Sequence, residues 1–166
     1  MTTSTAPRTG HIGLNVTDLE RSLAFYRDVL GYGVLGEGKE EGRRYAFLGE
    51  SSQEGGQGSG QEGGQGSGRP VLTLWQQADA AYCAGNAGLH HLAIEVDTIE
   101  RVREYEGALR AYGVEFAYEG VVPHGEGSAS GGIFFHDPDG TRLEIYADVG
   151  ASGRAPVAAA PTCGFF

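Results

Sequence analysis

The sequence predicts an α+β fold built from two copies of one strand–helix–strands unit. Three observations predict it. His11-Ile-Gly-Leu-Asn-Val16 returns as His91-Leu-Ala-Ile-Glu-Val96, Leu19-Glu-Arg21 returns as Ile99-Glu-Arg101, and Tyr32-Gly-Val34 returns as Tyr112-Gly-Val114, all at one offset of 80 positions. A fixed offset held across three segments is the signature of internal repetition, and repetition dictates architecture before any local pattern does. Each copy opens with a histidine, so equivalent points of two paired modules could share one metal ion.

Residues 10–16 alternate, with Ile12, Leu14 and Val16 on one face and His11, Gly13 and Asn15 on the other, as a half-buried strand requires. Thr17 followed by Glu20 predicts a capping-box start. Leu19, Leu23, Phe25, Tyr26, Val29 and Leu30 then supply helical spacing, and Gly31 suits the left-handed position that closes a helix. Strands are predicted at 33–37, 43–49 and 71–76.

The second copy repeats this order: a strand over 89–96, a helix capped by Asp97 or Thr98 running to Gly113, and strands over 115–121, 131–136 and 141–147. Asp137-Pro-Asp-Gly140 places Asp, Pro and Gly where a type I turn wants them, which predicts a hairpin between the last two strands. The expected organisation is a tail at 1–9, a first module at 10–76, a linker at 77–87, a second module at 88–149 and a tail at 150–166. Inside the first module, residues 51–69 form a low-complexity loop, with Gln53–Gly60 repeated unchanged as Gln61–Gly68. Such Gly/Ser/Gln tracts bury too little apolar surface to order themselves, so a neutral surface duplication is expected.

Composition excludes several classes. The chain of 166 residues carries 22 Asp+Glu against 12 Lys+Arg, a net charge of −10. That surface repels phosphate backbones, and nucleic acid is not expected as a partner. Apolar runs are too short for a membrane span, and Met1–Gly10 lacks the apolar core of a secretory signal. Cys83 and Cys163 form neither a disulfide framework nor a Cys-x-x-Cys motif. A cytoplasmic protein is expected, acting on a small molecule.

Four segments carry a resemblance. They are His11-Ile-Gly-Leu-Asn-Val16, Leu23-Ala-Phe-Tyr-Arg-Asp-Val-Leu-Gly31, Gly88-Leu-His-His-Leu-Ala-Ile-Glu-Val96 and Phe135-His-Asp-Pro-Asp-Gly-Thr-Arg-Leu-Glu-Ile-Tyr146. Over residues 10–147, outside the low-complexity loop, the chain resembles the vicinal oxygen chelate superfamily. That superfamily includes glyoxalase I, extradiol dioxygenases, fosfomycin-modifying enzymes and bleomycin-binding resistance proteins. The resemblance implies two paired βαβββ modules forming a curved mixed sheet around a metal-centred cavity, and a homodimer. It implies that His11, His91 and Glu144 ligate a divalent metal. Strand alternation agrees, because each shares its face with small or polar residues such as Gly13 and Ala93.

Thr73 stands where glyoxalase I supplies a fourth, glutamate ligand. A threonine hydroxyl is a poor ligand, which leaves two His and one carboxylate, a set typical of non-haem Fe(II) oxygenases. Fe(II) is therefore favoured, with Mn(II), Ni(II) or Zn(II) as alternatives. The resemblance offers His124 as an acid or base beside the metal; its other reading is a loop histidine next to Pro123. Phe134 replaces a tyrosine that the extradiol enzymes hold near substrate, and with it a phenolic donor. Trp75 shares the Thr73 face and either walls the substrate pocket, with Thr73 and Phe134, or packs in the core. Alternation sends His90 to the face opposite His91, a structural role. The expected function is a metal-dependent enzyme on a small organic substrate, leaning to Fe(II) dioxygenase chemistry. A glyoxalase-like lyase or isomerase and a non-catalytic antibiotic-binding protein are the alternatives.

Overall fold

The computed structural model describes residues 8–50 and 69–155. The Gln53–Gly68 repeat and Cys163 lie outside them. The chain divides into two compact units, Met1–Ala80 and Ala81–Phe166.

The first unit contains β1 (Ile12–Val16), α1 (Leu19–Leu23), β2 (Gly33–Glu40), β3 (Arg43–Gly49) and β4 (Leu72–Gln76). Its sheet has the order β1-β4-β3-β2, parallel between β1 and β4 and antiparallel elsewhere. Leu14 and Val16 of β1 are buried while His11, Gly13 and Asn15 are exposed, as the alternation predicts. The helix starts one residue later than the capping box suggested. Asp18 accepts the hydrogen bond from the Arg21 amide, and the Thr17 hydroxyl instead accepts from the Arg21 guanidinium. Beyond Leu23 the helix continues as a wider π-type turn over Ala24–Val29, with the Leu30 amide bonded to the Phe25 carbonyl. That turn still buries Phe25 and Tyr26, whose rings meet edge to face at 5.2 Å. Gly31 closes it at φ +80°, where other residues are strained.

The second unit repeats the plan with β5 (Leu92–Glu95), α2 (Ile99–Tyr112), β6 (Val122–Pro123), β7 (Gly131–His136) and β8 (Arg142–Ala147). Its sheet order, β5-β8-β7-β6, is that of the first unit, again with the first and last strands parallel. Thr98 caps α2, and Gly113 ends it at φ +93°. Ile99, Val102 and Leu109 are the buried stripe of α2, each worth roughly 1.5–3 kcal/mol relative to exposure.

Two strands differ from expectation. The segment 115–121 joins the sheet only through an isolated bridge between Phe116 and Phe135, because Gly120 turns the chain at φ +69° just before β6. The strand predicted from Leu89 begins at Leu92. The Tyr82 hydroxyl donates to the carbonyls of Leu89 (2.6 Å) and His90 (3.1 Å), which keeps those groups out of the ladder. Among the described residues no helix is long and apolar enough to cross a membrane.

Candidate metal centre

The hairpin turn sets the register that positions Glu144. Asp137 Oδ1 accepts from the amides of Asp139 (2.9 Å) and Thr141 (2.7 Å), and Gly140 takes φ +86°. In the resulting ladders Glu144 stands between Ala93 on β5 and Phe134 on β7. Its side chain is 3% exposed. A carboxylate so deeply placed needs partners, since an isolated buried charge is costly.

Imidazoles supply them. His124 Nε2 lies 2.5 Å from Glu144 Oε1, and His91 Nε2 lies 3.5 Å from Glu144 Oε2. A carboxylate only accepts, so His124 presents N–H at Nε2, and its Nδ1 accepts from the Ser130 hydroxyl at 2.7 Å. The His124 backbone amide also bonds the Ser130 carbonyl at 3.0 Å, which fixes the loop end of β6. Burial holds His91 below its ordinary pKa of 6.5, with Glu144 opposing and His90 and Arg142 reinforcing the shift. His91 is thus neutral near pH 7, the form a metal ligand needs.

His90 does not point away from His91. Because the strand starts only at Leu92, alternation does not apply at His90, and its Nδ1 sits 2.9 Å from His91 Nδ1. Arg142 NH1 reaches His90 Nε2 at 3.3 Å. Sequence reasoning also passed over Ser130 and gave Tyr146 no role. The Tyr146 hydroxyl donates to Glu95 Oε2 at 3.3 Å, and burial, then Glu95, pushes its pKa up. Its ring lies 5.6 Å from that of His124, and Phe134 lies 6.2 Å away on the other side. A tyrosine two residues after Glu144 was the available signal, because i and i+2 share a strand face.

The first unit places its own candidates on one face. Gly13 pairs with Thr73, and Asn15 with Trp75, in the parallel β1–β4 ladder. His11 lies two residues before Gly13 and is exposed. Thr73 is buried and Trp75 half-buried; the Trp75 ring meets Tyr45 at a tilt with centroids 4.9 Å apart, and Tyr45 in turn lies 5.0 Å from Phe47. The Gly13–Thr73 pair matches the Ala93–Glu144 pair, so Thr73 occupies the first-module counterpart of the Glu144 position.

Among the described residues no group of three His, Cys, Asp or Glu side chains stands already arranged to hold an ion. The pair His91–Glu144 nonetheless fits one. It offers a neutral imidazole and a carboxylate, both largely buried, and ligand bonds of about 2.0–2.2 Å can span their 3.5 Å separation.

Residues 8–145 match the family profile described as the Glyoxalase/Bleomycin resistance protein/Dioxygenase superfamily. The chain belongs to that superfamily. Lactoylglutathione lyase of Haemophilus influenzae is 35% identical over 141 residues, covering 81% of this chain and 88% of the lyase. Catechol-2,3-dioxygenase of Bacillus subtilis is 26% identical over 141 residues, covering 84% of this chain. The chain spans only 41% of that dioxygenase's length. A glyoxylase/bleomycin resistance protein/dioxygenase domain from Frankia sp. EAN1pec superposes with TM-score 0.67 at 18% identity, over 87% of this chain and 99% of that domain. This last likeness establishes the βαβββ fold of the superfamily.

Proposed function

We propose that the protein is a metal-dependent enzyme of the oxygen-using branch of the superfamily, acting on a small organic substrate. The observation that carries the proposal is the register match that puts Thr73 at the counterpart of Glu144. With threonine there, the protein ligands reduce to His11, His91 and Glu144, and coordination positions stay open for substrate oxygens and O2. Fe(II) suits this donor set best, and Mn(II), Ni(II) or Zn(II) would fit the same atoms. Bound there, a divalent ion supplies Lewis acidity and a template for substrate.

The remaining chemistry falls to side chains. His124 would serve as the acid or base beside the ion, its Nε2 now held by Glu144 Oε1 and its ring steadied by Ser130 through Nδ1. Phe134 walls the site without a hydroxyl, and Tyr146 offers a phenol from the next strand. We place the enzyme in the cytoplasm as a homodimer.

The test is metal content after anaerobic purification, alongside Glu144→Ala, followed by oxygen-uptake assays on catecholic substrates. Near-stoichiometric iron that the variant loses, with metal-dependent oxygen uptake, is the expected result. Catechol turnover that survives metal removal would reject the reading. A second reading, a glyoxalase-like lyase, is favoured by one observation: the chain spans 88% of its lyase relative's length, against 41% of the dioxygenase. Anaerobic turnover of a glutathione hemithioacetal would decide for it. Tight stoichiometric binding of an antibiotic without turnover or metal would point instead to a resistance protein.

A further inference from the structure

We propose that Arg69 and Tyr82 are positioning residues, each clamping the backbone just ahead of one ligand histidine, His11 or His91. This rests on the reading that both histidines bind the metal. Neither lies inside a strand, because β1 begins at Ile12 and β5 at Leu92. Each histidine is therefore the residue before its ladder, where local opening costs least. In the first unit Arg69 NH2 donates to the carbonyls of Thr9 (3.1 Å) and Gly10 (3.2 Å). In the second the Tyr82 hydroxyl donates to the carbonyls of Leu89 (2.6 Å) and His90 (3.1 Å). At the repeat offset of 80, Thr9 is the counterpart of Leu89 and Gly10 of His90. The same two carbonyls are thus caught in each copy. The donors are not repeat counterparts, since Arg69 stands just before β4 and Tyr82 in the segment before β5.

Peptide planarity decides what such a clamp fixes. The Gly10 carbonyl shares one rigid plane with the His11 amide. On the other side the Ile12 amide, coplanar with the His11 carbonyl, bonds the Val71 carbonyl at 2.9 Å. Both planes flanking the His11 Cα are held, and its two backbone dihedrals with them. The His90 carbonyl fixes the plane of the His91 amide in the same way, and Leu92 enters the ladder opposite Leu143. Tyr82 is itself anchored, because its amide donates to the Asp139 carbonyl at 2.8 Å, inside the turn that leads to Glu144. One residue so ties the approach to His91 to the approach to Glu144. His11 is exposed and has little packing to orient it, whereas the His91 side chain is 14% exposed and lies beside Glu144. The arginine clamp therefore carries more of the ordering than the tyrosine clamp.

The test titrates Mn(II) alone into the metal-free, full-length chain. Arg69→Met should weaken binding about five- to tenfold, the entropy of ordering roughly one backbone residue. Tyr82→Phe deletes only the donating oxygen and keeps the amide bond to Asp139, so it should weaken binding about threefold. In a His11→Ala background Arg69→Met should add no further loss, and Tyr82→Phe should add none in His91→Ala. Backbone NMR order parameters of the metal-free chain should fall at Gly10 and His11 in Arg69→Met alone, and at His90 and His91 in Tyr82→Phe alone. Unchanged order parameters or unchanged affinity in either variant overturns that clamp. Equal losses of affinity with and without the histidine mark a general structural role and overturn it as well. Mn(II) binding that neither His11→Ala nor His91→Ala weakens overturns the ligand reading, and the positioning role with it.

Discussion

The two modules share a topology and a register yet carry opposite chemistry on the same face. In the first, the row Gly13–Thr73–Phe47 is followed by the row Asn15–Trp75–Tyr45. In the second, the equivalent rows are Ala93–Glu144–Phe134 and Glu95–Tyr146–Gly132. Tyr45 fills its place with a ring that touches both Phe47 and Trp75. Gly132 leaves that place empty, and a ring from the end of β6, His124, touches both Phe134 and Tyr146 instead. One module presents an aromatic face and the other a polar cluster around Glu144. The difference teaches that the repeated backbone ladder is common to both copies, while a few face positions decide which copy carries the buried polar groups.

The sharpest way to break the comparison is His124→Gln. It returns the second module to a passive face, and turnover should fall about 10²- to 10⁴-fold with metal content unchanged. Steady-state kinetics beside metal analysis checks this; equal losses of metal and activity would mean that His124 acts as a ligand. Thr73→Glu runs the comparison the other way, giving the first module the carboxylate row of the second. A carboxylate at that buried position should destabilise the metal-free protein by about 3 kcal/mol. Added Mn(II) should recover the loss, and oxygen uptake should drop as an open coordination position closes. Thermal melts with and without metal read the first effect.

A smaller contrast lies in the glycines. A Cβ on Gly132 would stand 2.4 Å from the Ile145 carbonyl, whereas one on Gly13 meets only the Thr73 hydroxyl at 3.3 Å. Gly132→Ala should therefore cost about 1–3 kcal/mol by urea unfolding, and Gly13→Ala well under 1 kcal/mol. Equal costs would deny the second module its tighter ladder.

The smallest effect is on pH. His91 has a lowered folded pKa, so between that value and 6.5 the unfolded chain binds more protons. The metal-free protein should be most stable, on this account, above pH 6.5 and lose stability as the pH falls below it. His91→Gln should remove that component, and unchanged acid sensitivity in the variant would place its origin elsewhere.

Much of this was legible in the chain. The offset repeat, the alternation around His11 and His91 and the Asp-Pro-Asp-Gly turn determine two βαβββ units and put Glu144 on the His91 side of its sheet. These are local signals, because strand periodicity and turn chemistry depend on neighbours in sequence. Tertiary structure alone decided the rest. His90 turned toward His91 because Tyr82, from the preceding linker, took the carbonyls that would have extended the strand. His124 met Glu144, and Ser130 met His124, at the end of a two-residue strand that lies beyond the one expected at 115–121, and Arg142 found His90 across 52 positions. Hydrogen-bond partners are chosen by proximity in space, and no periodicity along the chain encodes which donor will arrive.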